Sequence, residues 1–181
     1  DRTQNPNDST ALITVVNDYI ADSADDESNW PDNYLLGQLN AGLVKPGDEV
    51  EYTVYFLNSG SGSAEDVRIC DWIQPNQGFV PGRYGGNDIE LVIGGTTYNL
   101  TAASDATTTD RAELTTVGSL PAGPTCNLST AATNASDEVV VLDVTGTSGD
   151  PSGLATFPGT TGQGTPNNAF GLFRFTTQVD E

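Results

Sequence analysis

The chain has 181 residues and a formal net charge of −19, with 6 Lys+Arg against 25 Asp+Glu, no histidine and no methionine. So few cations exclude a phosphate-gripping face for nucleic acid and disfavour an anionic membrane surface; no histidine means no His-based triad, His general base or His metal ligand. Abundant Gly, Pro, Ser, Thr and Asn, with few stretches at helical period, point to an all-β chain long enough for a sizeable core.

No segment approaches the ~20 apolar residues of a membrane span, so direct membrane insertion is not expected. The opening Asp1-Arg2-Thr3-Gln4 reads as a mature chain stripped of its leader. Two cysteines, Cys70 and Cys126, in an acidic, lysine-poor chain predict one disulfide and an oxidising, extracellular setting.

Taken in chain order, residues 1–10 are polar. "ALITVVNDYI", residues 11–20, is β-rich and apolar on both alternating faces, with Leu12, Ile13, Val15, Val16 and Tyr19 as its large side chains. The acidic loop "ADSADDESNWPDN" follows. Its Asp22, Asp25, Asp26, Glu27 and Asp32 supply the oxygens that calcium would require, without the glycine and glutamate spacing of an EF-hand. A solvated acidic loop is the plainer reading. "YLLGQLNAGL" fits either a helical turn or a strand.

"VKPGDEV" is a turn, in which Pro46 fixes φ and Gly47 permits a positive φ. From Val50 to Asn58 the pattern alternates: Val50, Tyr52, Val54 and Phe56 share one face, and Tyr55 and Leu57 close the other. "NSGSGSAED" turns the chain into "VRICDWI", where Val67, Ile69 and Ile73 lie opposite Cys70 and Trp72. "QPNQGFVPG" breaks that strand. "DIELVIGGTTYNLT" is a hairpin around Gly94-Gly95. A short strand is expected over 111–116. "DEVVVLDVT" is a nearly continuous apolar run and reads as a central strand. Residues 146–168 read as a long loop, an assembly contact or a mobile surface. The last strand alternates, with Phe173, Phe175 and Val179 opposite Leu172 and Arg174. Eight to ten short strands with closely spaced turns describe a β-sandwich. Sequons begin at Asn7, Asn99, Asn127 and Asn134, candidates for glycosylation where the organism performs it.

The stretch from Val44 to Gly82 resembles the Ig-like repeat known as domain of unknown function eleven, common in secreted and surface-anchored proteins of bacteria and archaea. The resemblance rests on Pro46-Gly47-Asp48, Tyr52, Asn58-Ser59-Gly60, Asp71 and Pro75, and again on Gly171, Phe175 and Val179. It implies an Ig-like β-sandwich and no chemistry, for none of these residues is a nucleophile beside a base. The first 40 residues lie outside it. The chain therefore divides into an N-terminal extension, 1–40, and a sandwich domain, 41–181.

An apolar strand ahead of an acidic linker can add to a neighbour's sheet, as in donor-strand complementation. Repeated head to tail, that contact gives a filament. The expected function is a structural subunit of a cell-surface or extracellular filament, a homopolymer rather than an enzyme. Its donor residues are Leu12, Ile13, Val15, Val16 and Tyr19, and its acceptor groove is lined by Tyr55, Leu57, Val140 and Leu172. The alternative is a monomeric adhesive or calcium-binding module of a larger surface protein.

Overall fold

The structure is a computed structural model that describes residues 14–16, 28–32, 34–35, 38–40, 44–102, 111–120, 125–126, 128, 134–145 and 155–181. Its strands are β1 (Thr14–Val16), β2 (Gln38–Asn40), β3 (Glu49–Leu57), β4 (Arg68–Trp72), β5 (Gln77–Phe79), β6 (Ile89–Ile93), β7 (Thr96–Leu100), β8 (Ala112–Thr116), β9 (Glu138–Asp143) and β10 (Phe170–Val179). They form two packed antiparallel sheets and a separate two-stranded ladder.

The larger sheet has the order β3-β10-β6-β7, with β5 added alongside β6 on the same edge of β10. Its inner face follows from period-2 alternation. Tyr52, Val54 and Phe56 of β3, Phe173 and Phe175 of β10, and Ile89, Leu91 and Ile93 of β6 all enter the core. Gly171 stands opposite Phe56 in the register. A Cβ there would lie 2.5 Å from the Phe56 ring, so glycine is what lets that ring cross β10. The β6–β7 turn takes positive φ at both Gly94 (61°) and Gly95 (74°), as a tight two-residue hairpin requires.

The smaller sheet has the order β4-β9-β8. Its β9 is central, as its apolar run predicts, and Val139, Val140 and Leu142 are 0% exposed. Val140, Leu142, Ile69 and Ile73 face the larger sheet. Val139 and Val141 point the other way and are buried too. The predicted disulfide joins Cys70 to Cys126 with a Cα–Cα distance of 5.7 Å. Cys70 is the register partner of Val141, so the bond fixes Cys126 over the outer face of this sheet.

Several motif residues do what their chemistry suggests. The Asp48 carboxylate accepts from the Lys45 amide at 2.9 Å across the Pro46-Gly47 turn. The Asn58 side chain donates to the carbonyls of Gly62 (2.9 Å) and Phe157 (3.1 Å). Tyr52 stacks on Phe175 at 5.3 Å and donates its hydroxyl to Gln77 Oε1 at 2.9 Å. Part of the expected 146–168 loop is core: Phe157 is buried edge-on against Phe56 and bridges to Ala64.

Candidate functional site

The outer face of the larger sheet carries two chemically distinct halves. At one end, Tyr55 and Leu57 of β3 lie beside Leu172 and Phe170 of β10, in the register Leu172↔Tyr55 and Phe170↔Leu57. Residues 29–32 and 34 dock here. Tyr34 meets Tyr55 edge-on at 5.7 Å and Phe170 at 4.9 Å, and Trp30 stacks on Tyr34 at 5.9 Å. Burial, then the neighbouring Tyr55, push the Tyr34 hydroxyl up to about 12. The same segment is clamped by the Gly164 amide donating to Asn29 O (2.9 Å), by Gln163 donating to Asp32 (2.9 Å), and by Pro31 against Gly164. Part of the expected extension, 1–40, thus packs on the sandwich through Asn29, Asp32 and Tyr34.

The other half is ionic. Arg174 donates through Nε to Glu90 at 2.7 Å, and its Nη1 lies 3.7 Å from Glu51. Its guanidinium lies 5.8 Å over the Tyr84 ring. Tyr84 donates to Glu51 at 3.1 Å, and burial raises its pKa. Arg83 pairs with Glu49. Here two carboxylates share one arginine and one phenol. One arginine faces both carboxylates, so charge-assisted hydrogen bonds tie β3, β10 and β6 together.

The sandwich exposes edges as well as faces. Among the described strands β3 is the last on its side of the larger sheet, pairing with β10 alone. At nine residues β3 is longer than the other terminal strands, β7, β4 and β8, each of five. In an antiparallel pair every second residue directs its N–H and C=O away from the partner, so such an edge is a template for a further strand. Thr14–Val16, the described part of the expected donor, pairs outside the sandwich with Gln38–Asn40, in the register Thr14↔Asn40, Val15↔Leu39 and Val16↔Gln38. Leu12, Ile13 and Tyr19 lie outside the described residues.

The expected acceptor groove needs correction at one position. Tyr55, Leu57 and Leu172 share the outer face of the larger sheet, but Val140 is fully buried on the inner face of the smaller one. The four residues therefore do not line one groove. Burial of β9 on both faces hides from the sequence which sheet it belongs to. Of the acidic loop, Asp22, Asp25, Asp26 and Glu27 lie outside the described residues, and Asp32 is exposed on Gln163. Among the described residues no group of three or more acids or cysteines is placed to hold a metal ion. Asn99 is exposed on β7, and Asn134 is exposed in a turn with its side-chain amide donating to Asp137. Asn7 and Asn127 lie outside the described residues. Sequence reasoning missed β5 and the docking of Trp30 and Tyr34; the only signal for the latter was a pair of aromatics within an acidic stretch.

No family model, curated protein or solved structure matches the chain. The likeness to the Ig-like repeat thus rests on the motif residues themselves. Among the described residues no helix is long and apolar enough to cross a membrane, and the disulfide is of the kind that oxidising compartments preserve.

Proposed function

We propose that this chain is the structural subunit of an extracellular or cell-surface filament, an Ig-like sandwich that polymerises by strand exchange. The residues from Leu12 to Tyr19 of one subunit add to the edge of β3 in the next. The observation that carries this reading is the pairing of the strands: β3 ends its sheet along nine residues, while the N-terminal strand pairs outside both sheets.

A strand added there gains backbone hydrogen bonds along its length, and its alternate side chains meet the two faces of β3. On the outer side these neighbours are Tyr55 and Leu57, and on the inner side Val54 and Phe56. Tyr55, Leu57 and Leu172 of the expected groove keep their place in this contact, and Val140 drops out. Head-to-tail repetition does not close, so the product is a filament. The disulfide and the acidic surface suit a subunit that works outside the cell.

The test is negative-stain microscopy of the full chain beside a variant lacking residues 1–20, at high salt. Filaments from the full chain alone are expected. Monodisperse single-chain particles from both would overturn the proposal in favour of a monomeric module.

A further inference from the structure

The strand-exchange reading leaves unassigned why β2 exists. Three residues, Gln38–Asn40, form a strand whose only described partner is β1. They lie between two fixed points on the sandwich. Before them, Tyr34 is held on Tyr55 and Phe170 towards the C-terminal end of β3. After them, the Gly47 amide donates to Val179 O at 2.8 Å, at the N-terminal end of β3. So β2 lies in the chain between two points held at opposite ends of β3, and it is itself paired with the donor.

We infer that β2 is a built-in cap for the arm. In the unassembled subunit it holds the donor strand through the Thr14–Val16 ladder, and assembly exchanges that ladder for a longer one on a neighbour's β3. The inference rests on the strand-exchange reading and adds its regulation. An isolated two-stranded ladder is marginal in water, so this one opens readily. It still satisfies backbone groups on the arm, which lowers the chance that arms of free subunits pair with one another. A subunit competent to donate is then a minor population, and nucleation slows in proportion to that fraction.

Two changes test the cap on the full chain. Val15 and Leu39 are direct partners in the register, so Val15→Cys with Leu39→Cys places two thiols within the usual reach of a disulfide. Leu39→Pro removes an amide from β2 and disfavours the ladder. Leu39 lies outside both sheets, and an unchanged thermal melt confirms that the sandwich is intact. Filament growth is followed by light scattering and microscopy, with each single cysteine variant as control. The cross-linked subunit is expected to stay monomeric. If the cap holds the arm in about nine-tenths of free subunits, Leu39→Pro nucleates roughly tenfold faster. A cross-linked subunit that polymerises like the unmodified chain, or a Leu39→Pro lag equal to or longer than the unmodified one, overturns the cap and leaves strand exchange standing. An unmodified chain that forms no filaments overturns both.

Discussion

Asp71 occupies a position that strand alternation reserves for an apolar side chain. It falls between Ile69 and Ile73 on the inward face of β4 and opposite Val140 in the register. Burial raises its pKa, and a hydrogen bond from the Trp72 backbone opposes the shift only in part. The sign follows from linkage. A carboxyl whose folded pKa is raised binds its proton more tightly in the folded state. It therefore lowers stability at pH values above its folded pKa and ceases to do so below the ordinary carboxylate range. Asp71→Asn is expected to raise the melting temperature at pH 7, with the gain shrinking as pH falls through the raised pKa. Thermal melts of both proteins across that range check this, and a gain that is constant with pH would remove the ionisation argument. The motif marks Asp71 only as a strand end, while alternation with Ile69 and Ile73 already sets it on their face.

At the scale of elements, Trp30 and Tyr34 tie part of the expected extension to the sandwich. Tyr34 contributes two edge-on aromatic contacts, of a kind worth about 0.5–1.5 kcal/mol each beyond area burial. Tyr34→Ala is expected to release the segment. Limited proteolysis should then cut near Trp30 much faster, while the melting temperature of the sandwich falls only modestly. Equal cleavage rates would mean that the clamp lies instead in the bonds from Gly164 and Gln163. Most strands were legible because period 2 is visible wherever one face is apolar, as in β3 and β10, and the Gly94-Gly95 hairpin was legible from its turn chemistry. β5 was not: its three residues sit among Pro, Asn and Gly with no alternation to read, and its pairing partner Thr177–Val179 is remote in sequence. The docking of Trp30 and Tyr34 was hidden for a related reason. Its contacts run to Tyr55 and to residues 163–170, and nothing local in an acidic stretch announces them. The length of β3 was legible from its alternation; its place at the end of the described sheet depends on sheet order, which the sequence leaves open.

For the whole molecule, two long-range terms stand out. The disulfide closes a loop across a sequence separation of 56 residues, and the chain-entropy account gives about 4 kcal/mol for such a loop. Replacing both cysteines by alanine should lower the unfolding free energy by about that amount in denaturant titrations, and a loss near zero would show that residues around Cys126 hold their place without it. In the proposed filament the net charge of −19 would oppose contact between subunits. Screening reaches only about 8 Å at physiological ionic strength, so like-charged subunits repel until salt rises. Filament yield is expected to increase with monovalent salt and to fall on dilution into low salt. A salt-independent yield would mean that the acidic residues lie away from the contact. β10 lies between β3 on one side and β6 with β5 on the other, joining Glu49 to Gln178. A ribosome or a translocation pore delivers β3 long before β10, so the larger sheet has no centre until that final strand has emerged. Until then the aromatic residues of β3 lack the sheet that buries them, and the growing chain is prone to aggregate.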